Sequence, residues 1–136
     1  MHKKYLFMFF LIAFSYMSFA EIVVVTHKDN ANTLTKKNIS RIFLGKDKNF
    51  PDGSEATPVN QKKGSDVQDT FNESVLGRST SQVAAFWARL VFTGKGIPPK
   101  EVSDDAAMID LISKNQSAIG YVNKSAVTDA VKVITF

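Results

Sequence analysis

Ala56-Thr57-Pro58-Val59-Asn60-Gln61-Lys62-Lys63-Gly64-Ser65-Asp66-Val67 decides the architecture of this chain. The first five residues predict a short strand over 56–60. Lys62-Lys63-Gly64-Ser65 is a tight polar loop, and Ser65 is by residue type a helix N-cap. The helix beyond it carries Val67, Phe71 and Val75 at four-residue spacing and stops at Gly77. A strand, a glycine-bearing polar turn and an amphipathic helix in direct succession form the step of an α/β layer.

The flanking sequence repeats that logic. Glu-Ile-Val-Val-Val-Thr at 21–26 is β-branched and predicts a buried strand. Thr35 caps a helix through about Phe43, with Ile39, Ile42 and Phe43 on one face and Gly45 as its stop. Pro51-Asp52-Gly53 is a turn. Downstream, 79–81 opens a helix in which Val83, Phe86, Trp87, Leu90 and Val91 make a core-facing stripe at i, i+3, i+4, i+7 and i+8. Thr93-Gly94-Lys95-Gly96 and Pro98-Pro99 end it. Ser103 caps a further helix with Asp104 and Asp105 in its first turn and Met108, Leu111 and Ile112 inward. Strands are predicted over 118–122 and 132–136. The order β-α-β-α-α-α-β-turn-β argues an α/β fold: a small mixed sheet flanked by helices.

The chain has 136 residues and no cysteine, so it is one small domain without a disulfide framework, a thiolate metal site or a cysteine nucleophile. Lys3 and Lys4, an apolar run over 5–17 broken only by Ser15, and small Ser18 and Ala20 predict a secretory signal peptide over 1–20, cut before Glu21. The apolar run is short for a membrane-spanning helix, so no stable membrane span is expected after cleavage. The expected domain is then 21–136. It keeps 15 basic and 13 acidic residues, a charge of +2. Those charges are scattered, with no basic and aromatic stripe, and this excludes nucleic acid as a partner. Export without cysteine fits a periplasmic protein.

Catalysis is largely excluded by inventory. Beyond residue 20, His27 is the sole histidine and has no carboxylate pair at ligand spacing; no nucleophile elbow or zinc motif occurs. No catalytic residue, metal or cofactor is expected. The carboxylates of Asp104 and Asp105 are explained as first-turn helix residues. Trp87 falls inside a core stripe, and Thr93-Gly94-Lys95-Gly96 follows a helix, so it is a stop and not a phosphate cradle. What remains is the Lys62-Lys63-Gly64-Ser65 loop. A helix start offers unpaired N–H groups and a partial positive charge, Gly64 permits close approach, and two lysines raise the potential. The same features also suit an ordinary N-cap with solvated lysines. Asp66 favours that second reading, because a carboxylate there satisfies the dipole and repels an oxyanion.

Five pieces in order resemble the phosphate-binding, or substrate-binding, proteins of bacterial phosphate ABC importers: Ile42-Phe43-Leu44-Gly45-Lys46; Phe50-Pro51-Asp52-Gly53; Pro58-Val59-Asn60-Gln61 with Gly64-Ser65; Phe92-Thr93-Gly94-Lys95-Gly96; and Ala118-Ile119-Gly120-Tyr121-Val122. The resemblance covers nearly all of 21–136. It implies one lobe of a type II periplasmic-binding-protein fold, with phosphate or another small oxyanion as ligand. Where the family reads Arg-x-x-Gly-Ser-Gly-Thr, this chain has Gln61-Lys62-Lys63-Gly64-Ser65-Asp66-Val67. Gly64 and Ser65 match, Gln61 stands at the arginine, and Asp66 and Val67 replace Gly and Thr. Losing the arginine removes a charge-assisted bidentate contact. The expected anion site is therefore Gln61, Lys62, Lys63, Gly64, Ser65 and Asp66. The alternative is a non-enzymatic structural or interaction module of the bacterial envelope that has lost tight ligand binding, with an envelope protein as partner; a homodimer supplying the missing half of the cleft is a further alternative.

Overall fold

In the computed structural model, residues 21–136 are described; the predicted leader over 1–20 lies outside the described residues. The strands are β1 (Ile22–His27), β2 (Thr57–Gln61), β3 (Lys100–Val102), β4 (Ala118–Asn123) and β5 (Val131–Ile134). The helices are α1 (Lys36–Phe43), α2 (Asp66–Phe71), α3 (Thr80–Phe92) and α4 (Asp105–Lys114). One mixed sheet has the order β3-β2-β4-β1-β5. β2 runs parallel to both β3 and β4, whereas β1 is antiparallel to both β4 and β5. Pro58 sits in β2 without interrupting it, because pairing to β3 starts only at Val59.

The expected α/β architecture is met. β4 runs through the middle of the sheet, and its first five residues are all buried. Alternation sends Ile119 and Tyr121 to one face and Ala118 and Val122 to the other. The first face packs with Ile39, Ile42 and Phe43 of α1, Phe71 of α2 and Val75 beyond it. Phe71 stacks on Tyr121 with ring centroids 3.9 Å apart, and Phe43 tilts onto Phe71 at 4.7 Å. The second face takes Met108 and Ile112 of α4. A Cβ on Gly120 would strike both of those side chains, so the glycine lets α4 lie close to the sheet.

Several local expectations change. Gln61 belongs to β2, which is shifted one residue from 56–60. β3 was not anticipated: Lys-Glu-Val is too short and too charged to read as a strand, and it exists because β2 offers it an edge. Asp104, not Ser103, caps α4, its carboxylate accepting the Ala107 N–H at 2.8 Å. His27 ends β1, one residue beyond the strand expected over 21–26. α2 continues into a π-helical turn over Asn72–Leu76, closed by Gly77 in the left-handed region at φ 65°. Ser79 caps α3 with a reciprocal Gln82 bond, as its residue type predicts.

The largest difference lies in α3. Of the five stripe residues only Val83 and Trp87 are buried; Phe86 and Leu90 are half-buried and Val91 is 51% exposed. The 3.6-residue pattern is real, but among the described residues no layer lies over its far side. Trp87 is the anchor. A Cβ on Gly45 would come within 2.9 Å of its ring, and one on Gly96 within 3.2 Å, so the indole sits in a slot between two glycine turns.

Candidate functional site

Parallel strands β2, β3 and β4 all end at one edge of the sheet, at Gln61, Val102 and Asn123. Open α/β sheets place ligands outside the carboxyl ends of their strands. The Lys62–Ser65 loop lies at that edge, at the start of α2. Alternation along β2 then separates two neighbours. Asn60 goes to the α2 face, where its Oδ1 accepts the Tyr121 hydroxyl at 3.1 Å. Gln61 goes to the α4 face and is 2% exposed.

Gln61 is thereby committed. Its Nε2 donates to Asp105 Oδ1 at 2.5 Å and to the Tyr121 carbonyl at 3.1 Å. Asp105 also accepts from Asn123, through Nδ2 at 3.0 Å and the backbone N–H at 3.4 Å. This cluster ties the ends of β2 and β4 to the first turn of α4. An amide suits that place because it donates to a carboxylate without bringing a second charge. It leaves Gln61 with no free reach toward the loop.

The loop itself is partly self-satisfied. Gly64 has φ +84°, with open space where a Cβ would be. Its N–H donates to Gln68 Oε1 at 3.1 Å, and the Ser65 N–H donates to the Lys62 carbonyl at 3.1 Å. Ser65 Oγ accepts the Gln68 N–H at 3.3 Å. Two donors that an anion would use are therefore engaged within the chain. The first helical amides, of Asp66 and Val67, precede any intrahelical acceptor. Lys62 and Lys63 are exposed and make no ion pair among the described residues. Asp66 is exposed on the first turn.

Lys63 also lines a cleft of about 320 Å³ whose polar wall holds Asn60, Gln68, Asn72 and Glu101 and whose other wall is apolar, with Val83, Trp87 and Pro98 among others. Asn72 Nδ2 donates to Thr80 Oγ1 at 3.1 Å, and the Thr80 hydroxyl donates to Asp69. Asn60, Gln68 and Asn72 were missed from sequence. For Gln68 a signal existed: Ser65-x-x-Gln68 has capping-box spacing, and the glutamine reaches Gly64, one residue before the cap. For Asn60 there was none, because Tyr121 is 61 positions away, and Asn72 meets Thr80 across the α2–α3 turn, a pairing that no local motif marks. Tyr121 Oη bridges the Gln61 N–H and Asn60, and burial holds its hydroxyl well above the usual tyrosine range.

A second cleft, at the opposite sheet edge, is lined by Asp29, Asn30, Asn32, Asp52, Glu55 and Ser117 among others. Its three carboxylates disfavour an anion. Bonds from Ser54 first, and from Asn32, keep the Asp52 carboxyl below its ordinary range. No group of three or more His, Cys, Asp or Glu stands at metal-holding distances among the described residues. No helix among them is long and apolar enough to cross a membrane.

Solved structures give the fold a context. A phosphate ABC transporter substrate-binding protein from Clostridium perfringens, solved with bound phosphate, aligns with 84% of this chain at a TM-score of 0.67 and 24% identity, using 44% of its own length. An ABC-type phosphate transport receptor from Vibrio cholerae aligns with 85% of the chain at 0.66 and 21%, using 45% of its length. PstS from Borrelia burgdorferi aligns at 0.60 and 12% identity, over 84% of this chain and 46% of its own. The fold is that of one lobe of such a binding protein. At these identities the likeness is one of fold, and the chain spans less than half the length of the structures it matches. No protein-family model matches the chain, and no curated protein does.

Proposed function

We propose that the chain is a non-enzymatic oxyanion-binding lobe, with phosphate or a similar small oxyanion as ligand, cut before Glu21 and working in the periplasm. One observation carries this reading. The exposed Lys62–Lys63 pair and the first amides of α2 lie at the carboxyl edge of the parallel strands, in a lobe shaped like those of phosphate-binding proteins. The site residues are Lys62, Lys63, Gly64 and Ser65. Gln61 supports them by tying β2 to Asp105, and Asp66 opposes a fully ionised anion.

Affinity is expected to be low. The arginine fork is replaced by a buried amide, two loop donors are already taken, and an open half-site leaves the anion hydrated. The test is thermal melting of 21–136 with phosphate or sulfate raised stepwise to about 0.1 M against chloride at equal ionic strength, so that a weak site is also filled. Ligand at 100 times its dissociation constant adds roughly 2.7 kcal/mol. Lys62→Gln with Lys63→Gln should remove the shift. A flat response in the unaltered protein would end the oxyanion reading.

A second reading has its own support, in that only two of the thirteen residues of α3 are buried. A helix so bare fits an interaction module whose partner, or second copy, covers that side. A mass in solution that rises with protein concentration would select the homodimer.

A further inference from the structure

The end of α3 carries an exposed apolar surface that the oxyanion reading does not use. Five large hydrophobic residues are exposed among the described residues, and three of them lie here: Val91 at 51%, Phe92 at 91% and Ile97 at 89%. Phe92 and Ile97 bracket the turn over 93–96. That turn is not loose. The Lys95 N–H donates to the Leu90 carbonyl at 2.8 Å and the Gly94 N–H to the Val91 carbonyl at 3.1 Å, with Gly94 at φ 69°. This is the paired closure of a Schellman motif, in which an apolar residue at the Lys95 position commonly folds back onto the helix. Here that position holds a lysine, so the two hydrophobic residues beside it are held outward by a fixed backbone.

Charge around the tip is mainly basic, with Asp47 as the one carboxylate lining the cleft beside Ile97. No acidic residue occurs between Glu73 and Glu101, while Arg78, Arg89, Lys95 and Lys100 do. Lys48 of the α1–β2 connection joins Lys95, Leu90, Val91 and Ile97 around a groove against Trp87. The nearest carboxylate on that connection, Asp47, is held by Arg41 at 3.0 Å.

We propose that this tip is a peripheral docking surface for an anionic lipid bilayer, with Phe92 and Ile97 entering the interfacial layer and Arg89, Lys95 and Lys48 meeting lipid phosphates. At the tip itself a second copy fits poorly, because Lys48 and Lys95 would meet their own counterparts there, so any homodimer would use the earlier turns of α3. The basic rim favours an anionic surface over a neutral one, and side chains 91% and 89% exposed are free to insert into it. Projecting aromatic and aliphatic residues ringed by cations suit the headgroup boundary, where apolar insertion and attraction to anionic lipid add.

The experiment uses residues 21–136, which contain both apolar cores, in phosphate-free buffer, so that the outcome is separate from the oxyanion reading. Co-sedimentation compares vesicles of phosphatidylcholine alone with vesicles containing about 40% phosphatidylglycerol. Binding should be at least about tenfold tighter to the anionic vesicles at about 0.05 M NaCl, and mostly lost at about 0.5 M. Phe92→Ser with Ile97→Ser should weaken binding about tenfold or more without changing the melting temperature, since both side chains are already in water. Arg89→Gln with Lys95→Gln should remove the preference for phosphatidylglycerol. Absence of binding to anionic vesicles, or equal binding by the Phe92/Ile97 variant, overturns the proposal. So does binding of a synthetic acidic amphipathic peptide at this tip while vesicles are ignored.

Discussion

Tyr121 concentrates the chemistry of the sheet centre in one hydroxyl. It donates to Asn60, accepts the Gln61 N–H, and stacks its ring on Phe71. Burial raises its pKa first; the charges of Glu101 and Asp69 push the same way, and the Gln61 N–H opposes them. The sign of the pH effect follows. The fold favours the neutral phenol, the unfolded chain ionises near pH 10, and stability is therefore full below about pH 10 and falls as pH rises above it. Denaturant midpoints measured from pH 8 upward should show this decline, and Tyr121→Phe should flatten it while costing about 1–3 kcal/mol at neutral pH through the unsatisfied Asn60 and Gln61 groups. Tyr121 is the sole tyrosine beyond residue 20, so tyrosinate absorbance reports on it alone; ionisation near pH 10 in the folded protein would contradict the buried phenol. Gln61 makes the companion case. Gln61→Leu removes a donor from Asp105 and should cost about 1–3 kcal/mol. Any phosphate-induced rise in melting temperature should survive it, because the side chain faces α4 and not the loop. Loss of that rise would return Gln61 to the ligand site.

At the scale of elements, the glycine turns explain how α3 is attached. Gly45 is at φ 71° beside the Trp87 ring, so Gly45→Ala brings both a left-handed backbone penalty and a steric clash. The expected cost is about 1–3 kcal/mol. Trp87 is the sole tryptophan, and its emission should shift to the red in this variant as the indole leaves its slot. An unchanged spectrum would mean that the slot does not hold the helix. The capping residues Thr35, Ser65 and Ser79 were legible because a cap is a local bond between side chain and backbone three residues apart. β4 was legible because burial on both faces leaves a continuous apolar run. β3 was not, since its reason for being a strand is the edge of β2. The α3 stripe was read correctly as a pattern and wrongly as burial, because periodicity identifies an apolar face without saying whether this chain supplies its cover. The candidate site divides in the same way. Gly64 and Ser65 follow from local turn chemistry, whereas the engagement of Gln61 depends on Asp105, 44 positions away.

For the whole molecule, the two faces of the sheet and the outlying helix imply an uneven distribution of stability. β1 and β4 lie between two apolar clusters, one under α1 and α2 and the other under α4. Unpairing them exposes both clusters, so their amides should exchange only when the domain unfolds as a unit. α3 rests on Val83 and Trp87, with the rest of its surface half-buried or exposed. Lifting it uncovers little apolar area and breaks no strand pairing, so it should open by itself at a lower free energy. Native-state hydrogen exchange on 21–136 should show amides over 84–92 less protected than those over 119–122 by roughly a hundredfold, about 2.7 kcal/mol. Equal protection would mean that α3 is integral to the lobe and that its apolar side needs no cover. If anionic vesicles dock at the tip, they should raise protection in α3 selectively and leave β4 unchanged, because ligand binding to a locally folded element stabilises that element against its own opening. A uniform rise across the chain would instead point to a surface on the sheet or on the Lys62–Ser65 edge.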